Sequence, residues 1–422
     1  MTLPGSPHLV RLAGELRLDG HSLVDLAHRF GTPLFVYSQA AMLSAVAAYH
    51  QALQGRPHLV CYAMKANSSL AVLQTFARAG CGFDIVSVGE LERVLAAGGS
   101  AAKTVFSGVG KKRDEMARAL EAGVRCFNVE SHGELVRLDE VARAHGKLAR
   151  VSLRVNPDVD AGTHPYISTG LKGNKFGIAH HEALDAYRHA AALPGLEVVG
   201  IDCHIGSQIV QIAPYLDALD RLLDLVEAVE REGLVIHHVD VGGGLGITYT
   251  DETPPAADAL VGALLARLDS RGHGWREVLF EPGRSLVGNA GVLLAEVQYL
   301  KRGPTKNFCI VDAAMNDLLR PAMYEAWMAI EPCRQRDGIT AETWDVVGPV
   351  CESGDWLGRD RRLAISEGDT LAVLSAGAYG MAMASNYNTR PRAAEVMLVG
   401  DQAHLIRERE AIQALMSGER LL

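Results

Sequence analysis

The stretch His58-Leu59-Val60-Cys61-Tyr62-Ala63-Met64-Lys65 decides the interpretation of this chain, because it is an apolar run that ends in a single amine. Its β-branched and aromatic residues favour a buried strand, and the small and polar residues Ala66-Asn67 follow directly. A lysine at such a strand end is half desolvated, which disfavours its ammonium form. A neutral amine can form a Schiff base with a carbonyl group, although most lysines at strand ends are solvated surface charges. The role of Lys65 therefore depends on the residues that lie beside it.

Further apolar runs follow this first strand, and amphipathic stretches at helical spacing separate the early ones. The eight predicted strands are 59–64, 83–86, 104–107, 126–129, 151–155, 198–203, 238–241 and 278–280. Eight strands, each followed by a crossover, predict an α/β chain with a (β/α)8 barrel of the TIM type. A doubly wound open sheet is the competing architecture.

The pattern changes near residue 290, where strand-like runs are separated by turns and no regular helices lie between them. This change predicts a mostly β C-terminal domain over residues 291–422. The apolar runs within residues 1–33 fit neither a barrel strand nor a linker, and we expect them to join that domain. Residues 34–290 are then the predicted barrel domain.

Composition excludes several classes of protein. The chain has 422 residues and a formal net charge of −9, which argues against a nucleic-acid or anionic-membrane partner. No signal peptide and no apolar run of membrane-spanning length is visible. Seven cysteines without a CxxC spacing suit free thiols in a reducing cytoplasm. The histidine pairs 180–181 and 237–238 lack ligand partners at usable spacing, so no metal site is expected.

Polar residues follow the predicted strands where a barrel places its active site, at the carboxyl ends. The residues at these ends are Lys65, Asp84, His204-Ile205-Gly206-Ser207, Gly242-Gly243-Gly244 and Glu281-Pro282-Gly283-Arg284.

The glycine run after the seventh strand would let backbone N–H groups approach a phosphate, although a tight turn uses the same residues. Ser207 could add a hydroxyl to that phosphate. Glu281 emerges from an apolar strand, and its carboxylate needs a cationic partner, either a protonated ring nitrogen or Arg284. His204 could stack on a flat ring or be a buried core histidine.

A Schiff-base lysine, a phosphate cradle and a carboxylate for a ring nitrogen together point to pyridoxal 5′-phosphate. These residues stand in five motifs: Tyr62-Ala63-Met64-Lys65-Ala66-Asn67, His204-Ile205-Gly206-Ser207-Gln208, Gly242-Gly243-Gly244, Glu281-Pro282-Gly283-Arg284 and Cys351-Glu352-Ser353-Gly354-Asp355. The motifs resemble the diaminopimelate decarboxylase family, and the likeness runs from about Phe35 to Leu398. That family has the alanine-racemase-like fold, a cofactor-binding barrel with a β domain that the N-terminal segment completes.

The resemblance implies a role for each residue. Lys65 resembles the lysine that holds the cofactor covalently, His204 the histidine on the ring face and Glu281 the partner of the ring nitrogen. The residues expected to bind the cofactor are Lys65, Asp84, His204, Ser207, Gly243, Gly244, Glu281, Pro282, Gly283, Arg284 and Tyr379. Those expected to bind the substrate are Arg284, Arg320, Tyr324, Glu352 and Tyr379.

The implied reaction is decarboxylation of meso-2,6-diaminopimelate to L-lysine and CO2, the final step of lysine biosynthesis by the diaminopimelate route. Diaminopimelate has an amino-acid centre at each end, so its far end needs a carboxylate clamp, which arginine supplies in bidentate form. A lysine or ornithine decarboxylase would want an acidic pocket there. The chain departs from the family at Trp327-Met328, where a more polar pair is frequent.

The resemblance also implies assembly. Cys351 and Glu352 resemble residues that enter the site from a neighbouring subunit, so we expect a cytoplasmic homodimer with shared active sites in which Cys351 protonates the product. Three rival functions remain: a decarboxylase of a carboxylated polyamine or another basic amino acid, a racemase, and a catalytically inactive regulator. Glu281 as a strong electron sink disfavours the racemase, and the presence of Lys65 and Cys351 disfavours the regulator.

Overall fold

The protein was analysed as a computed structural model, which describes residues 3–160, 169–170 and 174–422. Its strands in chain order are β1 (Leu9–Leu12), β2 (Glu15–Leu18), β3 (His21–Ser22), β4 (Leu34–Ser38), β5 (His58–Ala63), β6 (Gly82–Ile85), β7 (Thr104–Phe106), β8 (Cys126–Val129), β9 (Ala149–Asn156), β10 (Ile178–Ala179), β11 (Leu196–Asp202), β12 (His238–Asp240), β13 (Glu277–Phe280), β14 (Gly291–Arg302), β15 (Asn307–Val311), β16 (Ile330–Pro332), β17 (Glu342–Val347), β18 (Trp356–Leu363), β19 (Thr370–Val373), β20 (Ala394–Val399) and β21 (Gln402–Arg407). Its α-helices are α1 (Leu23–Phe30), α2 (Gln39–Ala52), α3 (Leu70–Arg78), α4 (Val88–Ala96), α5 (Arg113–Ala122), α6 (His132–Ala144), α7 (Ala183–Ala192), α8 (Ala213–Arg231), α9 (Ala257–Ser270), α10 (Arg284–Val287) and α11 (Arg320–Tyr324).

Eight parallel strands close into a barrel in the order β5-β6-β7-β8-β9-β11-β12-β13, and β10 adds to β9. The closing pair is β13 with β5, where Val278 lies opposite His58 and Phe280 opposite Val60. Closure confirms the predicted (β/α)8 fold and excludes the open doubly wound sheet, which would leave β5 and β13 as edges. The eight strands that form it are those predicted from the sequence, with ends shifted by at most a few residues.

The helices between the strands begin at capping residues that the sequence supplies. Ser87 accepts a hydrogen bond from the Glu90 N–H at the start of α4, and Ser131 does the same for Glu134 at the start of α6, each at 3.2 Å. A serine followed three residues later by glutamate is a helix-start signal, because the hydroxyl satisfies a backbone donor of the first turn. Short, well-capped crossovers keep the strands parallel and their carboxyl ends at one face of the barrel.

An apolar layer fills the barrel interior on the side away from that face. Its members come from β5, β7, β8, β11 and β13, and they are Leu59, Cys61, Val105, Cys126, Val199 and Leu279. Polar side chains of the same strands therefore lie nearer the carboxyl ends, where the candidate site is built.

The chain divides into two compact units, one formed by Ala45–Ile247 with Thr253–Ser285 and the other by Met1–Ser44, Thr248–Glu252 and Leu286–Leu422. The first holds the barrel. The division differs from the predicted boundaries at 33 and 290, because β4 belongs to the second unit: it pairs with β14 and β20 and not with a barrel strand.

The second unit is mostly β. Its main sheet has the order β18-β17-β15-β14-β4-β20-β21, with β19 on β14 and β16 on β19. The N-terminal segment forms the separate sheet β1-β2-β3, and the Leu16 N–H donates to the Cys333 carbonyl at 2.7 Å. Leu9 and Leu18 share an apolar core with Val292 and Leu374, so the N-terminal segment packs with the C-terminal strands as expected.

Within the part of the chain that is described, none of the helices combines the length and the apolar character needed to cross a lipid bilayer.

Candidate active site

Lys65 and Asp84 form an ion pair at the carboxyl ends of two neighbouring barrel strands. Lys65 lies in the 3-10 turn Met64–Ala66 directly after β5, and Asp84 lies on β6. Lys65 Nζ is 2.5 Å from Asp84 Oδ2, and the Asp84 side chain is fully buried while that of Lys65 is 37% exposed. The sequence argument expected a desolvated, neutral amine. The structure instead pairs the amine with a carboxylate, so Lys65 must leave Asp84 before its nitrogen can attack a carbonyl.

His204 follows β11 and is held by the glycine loop after β12. The Gly243 N–H donates to His204 Nδ1 at 3.2 Å, so this ring nitrogen acts as an acceptor and carries no proton. Burial, and then the positive charges of Arg154 and Lys65, lower the pKa of His204 well below its usual value. A neutral imidazole is a flat, uncharged surface, which suits the predicted contact with a ring face.

The glycine loop packs so closely that side chains have no room. A Cβ on Gly243 would overlap the carbonyl oxygen of Glu281, and a Cβ on Gly244 would overlap that of Gly206. Gly244 also has φ +100°, a conformation that L side chains rarely adopt. The loop therefore presents bare backbone at this corner of the barrel, which is the surface that a phosphate group requires.

Ser207 and Arg284 lie together at the ends of the sixth and eighth barrel strands. Arg284 Nη2 is 2.9 Å and its Nε 3.3 Å from Ser207 Oγ, and Arg284 is only 3% exposed. Pro282 and Gly283 precede this arginine in the chain. The Ala63 N–H at the end of β5 donates to the Pro282 carbonyl at 3.1 Å, which holds this segment beside the strand that leads to Lys65. The hydroxyl and the guanidinium are both hydrogen-bond donors that suit an anionic ligand.

Glu281 is buried without a cation. Its Oε1 accepts a hydrogen bond from Asn128 Nδ2 at 3.3 Å, and among the described residues it takes part in no ion pair. The alternative prediction of a salt bridge to Arg284 is therefore wrong. Burial raises the pKa of Glu281 well above its usual value, and the carboxyl groups of Asp240, Asp84 and Asp202 raise it further. A carboxyl group that keeps a proton here fits a basic ring nitrogen, to which it can give that proton.

Sequence reasoning missed two acidic residues beneath Glu281. Asp202 and Asp240 lie opposite each other on β11 and β12, and with Glu281 they form a carboxyl cluster whose oxygen atoms approach within 4.8 Å of one another. All three side chains are buried. The signal that could have identified this cluster is an aspartate between two valines, Val239 and Val241, at the end of a buried strand.

In the second unit, Arg320 lies among tyrosines. The guanidinium carbon is 5.6 Å from the ring centre of Tyr249, 5.5 Å from Tyr324 and 5.9 Å from Tyr379. Arg320 is 6% exposed, so the rings shield its charge from water. The structure thus brings together three predicted substrate residues and adds Tyr249, which the sequence motifs did not indicate.

Cys351 and Glu352 lie on an exposed turn between β17 and β18 of the same unit. The Cys351 N–H donates to Asn388 Oδ1 at 3.0 Å, and Glu352 Oε2 accepts from the Tyr387 hydroxyl at 2.8 Å. Asp355 shapes the turn by accepting the backbone N–H groups of Met315 and Val350 at 2.7 and 2.8 Å. The thiol is therefore displayed at the surface of its unit.

Comparison with known proteins agrees with this geometry. Residues 39–288 match the family model described as pyridoxal-dependent decarboxylase, pyridoxal binding domain. The diaminopimelate decarboxylase of Pseudomonas aeruginosa is 60% identical over 408 residues, which cover 97% of each chain. The crystal structure of diaminopimelate decarboxylase from M. jannaschii in complex with L-lysine is 38% identical, with a TM-score of 0.95 over 100% of this chain and 99% of that one.

A more distant structure is that of lysine decarboxylase from Selenomonas ruminantium, which is 26% identical with a TM-score of 0.81 over 92% of this chain and 98% of that one. The 60% identity to the Pseudomonas aeruginosa protein over 97% of each chain settles the family. Lys65, the glycine loop and Glu281 at the barrel mouth agree with it. The chain belongs to the diaminopimelate decarboxylase family of pyridoxal-dependent decarboxylases.

Proposed function

We propose that this protein removes CO2 from meso-2,6-diaminopimelate and releases L-lysine, as the final step of lysine biosynthesis by the diaminopimelate route. The observation that carries the proposal is the arrangement of Lys65, the bare glycine loop and the buried, cation-free Glu281 at the mouth of one barrel. These are the amine, the phosphate surface and the acid that pyridoxal 5′-phosphate needs. The relatives named diaminopimelate decarboxylase support the choice of substrate.

Different barrel residues would bind different parts of the cofactor. Gly243, Gly244, Ser207 and the segment 281–284 would hold its phosphate and edge, and His204 would cover one ring face. Lys65 would hold the cofactor until the substrate amine replaces it, and the bound cofactor would supply an electron sink for the carbon that loses its carboxylate. Asp84 holds the Lys65 amine in place until the two part, and Glu281 keeps a proton at the ring nitrogen.

Selection of the substrate falls to residues that recognise its far end. Arg284 and Arg320 would bind the distal carboxylate, because a guanidinium makes two parallel hydrogen bonds to a carboxylate. Tyr324, Tyr379 and Glu352 would add polar contacts to the same end. The tyrosine rings around Arg320 exclude water, and this strengthens its attraction for an anion.

The decisive assay measures CO2 release from meso-diaminopimelate, lysine, ornithine and a carboxylated polyamine by the cofactor-loaded protein. We expect release from diaminopimelate alone, because two arginines repel the distal ammonium of the other substrates. Faster release from lysine or from the carboxylated polyamine would make the protein a polyamine-type decarboxylase instead.

We propose further that the protein is a cytoplasmic homodimer in which Cys351 and Glu352 complete the site of the partner subunit and Cys351 protonates the product. Exposure of both residues on one turn supports this assignment, since a thiol that acts on a substrate must be displayed to it. The seven free cysteines support a reducing compartment.

Subunit mixing tests the shared site. Lys65→Ala and Cys351→Ala proteins are mixed and allowed to exchange subunits. About half of the dimers should then be hybrids, and by the symmetry of the dimer each hybrid has one site with both native residues. About a quarter of wild-type activity should therefore return. Mixing Lys65→Ala with His204→Ala is the control, because both changes lie in the barrel and no hybrid site is intact. If subunits are shown to exchange and the first mixture still recovers no activity, Lys65 and Cys351 act in the site of the same chain.

A further inference from the structure

The carboxyl cluster lies inside the barrel, at the carboxyl ends of three adjacent strands. Asp202, Asp240 and Glu281 are 1%, 0% and 5% exposed, and they come from the adjacent strand ends of β11, β12 and β13. Asp240 is central in this strand order. Its Oδ1 accepts from the Gly242 N–H at 2.9 Å, while its Oδ2 is buried and has no hydrogen-bond donor among the described residues.

No cation neutralises this cluster. In the part of the chain that is described, none of its three carboxyl groups is in an ion pair, and the nearby cations are each paired with another acid. Arg154 contacts Glu130 at 3.2 Å, Lys65 contacts Asp84 at 2.5 Å, and Arg125 contacts Glu277. Three ionised carboxylates at this depth would be prohibitively costly, so the cluster must hold protons.

The surroundings favour a proton on Glu281. Titratable and charged groups surround the cluster. They are Cys61 and Lys65 at β5, Asp84 on β6, Arg125, Cys126 and Glu130 at β8, Arg154 on β9, Tyr187 on α7 and Cys203 after β11. Burial raises the pKa of all three carboxyl groups, that of Asp240 to about 7. The Gly242 N–H that Asp240 accepts favours its ionised form, so Asp240 is the member of the cluster to which a protonated Glu281 can donate.

We propose that Asp240 is a positioning residue that shares a proton with Glu281, and that this carboxyl cluster stores the proton that the ring nitrogen of the cofactor would receive. When the cofactor binds, the O–H bond of the Glu281 carboxyl breaks and an N–H bond forms at the nitrogen. The proton comes from the protein and not from solution. The negative charge of Asp240 raises the proton affinity of Glu281 before binding and favours the protonated ring afterwards. The inference rests on the cofactor assignment of the proposed function and extends it to a residue that does not touch the cofactor.

Infrared difference spectroscopy between cofactor-loaded and cofactor-free protein tests the proposal. The wild type is expected to lose the carbonyl stretch of one protonated carboxyl group per subunit on loading. In Asp240→Asn the amide oxygen keeps the contact with the Gly242 N–H, and the amide N–H can donate to Glu281. Glu281 is then ionised before the cofactor is added, so loading should no longer remove a carbonyl stretch. Glu281→Gln removes the same signal. Asp139→Asn is the control: Asp139 is an equally buried barrel-unit carboxylate, paired with Arg143, and this variant should keep the loss.

Three results would overturn the proposal. They are an unchanged signal in Asp240→Asn, the absence of any protonated carboxyl in the cofactor-free wild type, and a stoichiometric divalent cation in the purified protein by elemental analysis, since a metal would take the place of the proton. If Asp240→Asn does not fold, Asp240→Ala takes its place in the same measurement, because it also removes the negative charge that is proposed to hold the proton on Glu281. Failure of the proposed function is a separate outcome, because it would appear as missing covalent cofactor or missing CO2 release in the wild type.

Discussion

The mouth of the barrel and the turn that carries Cys351 hold their candidate residues in opposite ways. At the barrel mouth, Asp84, Glu281 and Arg284 are at most 5% exposed, and each lies at or near a strand end in contact with a residue of another barrel strand or of the loop after it. On the turn, Cys351 and Glu352 are exposed and are held by hydrogen bonds to Asn388 and Tyr387. The difference teaches that the barrel holds its candidate residues in fixed positions, while the turn displays its own at a surface, as the proposed shared site would require.

The largest effect is expected at the amine of the barrel. Lys65→Ala removes the only group proposed to hold the cofactor covalently, so CO2 release should fall to the level of free cofactor while the fold persists. The variant should still bind cofactor through the glycine loop, and borohydride should fix none of it to the chain. Lys175→Ala, which removes an exposed lysine, is the control and should retain fixation. Cofactor fixed by borohydride in Lys65→Ala would assign the covalent role to another lysine.

A large but smaller effect is expected at the buried acid. Glu281→Gln leaves the ring nitrogen without an acid partner at nearly constant side-chain volume, and the lost electrostatic stabilisation is a few kcal/mol, so kcat should fall by about 100- to 1000-fold. Cofactor should still be fixed by borohydride, because Lys65 is intact. A kcat close to that of the wild type would refute the role of Glu281.

The contrast between the two regions also explains what the sequence could predict. The barrel strands were identified because each is a short apolar run, and Lys65, Asp84 and Glu281 were found because they are polar residues at the ends of such runs. β4 falls within the predicted barrel domain, residues 34–290, because nothing in the pattern of Leu34–Ser38, a fully buried strand, indicates that it pairs with β14.

Contacts that depend on tertiary pairing could not be predicted. Asp202 and Asp240 are 38 positions apart, and only the pairing of β11 with β12 places them side by side. Tyr324 lies one helical turn after Arg320 in α11, but the rings of Tyr249 and Tyr379 reach Arg320 from distant segments that share no periodicity with it. The ion pair that holds Lys65 likewise requires the register of β5 with β6.

A selective effect is expected at the arginine of the second unit. Arg320→Met removes a buried cation proposed to bind the distal carboxylate, and the loss of a charged hydrogen bond should raise KM for diaminopimelate about 10- to 100-fold. Affinity for the cofactor should hardly change. Arg361→Met is a matched control, because Arg361 is also a buried arginine stacked on an aromatic ring, that of Trp327 at 3.9 Å. If Arg320→Met loses cofactor and keeps its KM, Arg320 belongs to the fold or to cofactor binding and not to substrate selection.

The smallest effect compares the same chemical change in the two regions. Ser207→Ala and Tyr387→Phe each delete one hydroxyl, but the first removes a hydrogen bond to the buried guanidinium of Arg284, while the second removes one to an exposed Glu352 that can bind water instead. Ser207→Ala should therefore reduce the free energy of unfolding of the cofactor-free protein by about 1–3 kcal/mol, the contribution of a buried hydrogen bond to a charged group. Tyr387→Phe should cause no measurable change, because exposed hydroxyls exchange one partner for another in water. Urea unfolding of both variants beside the wild type measures the difference. Equal losses in the two variants would mean that the turn is as rigidly built as the barrel mouth.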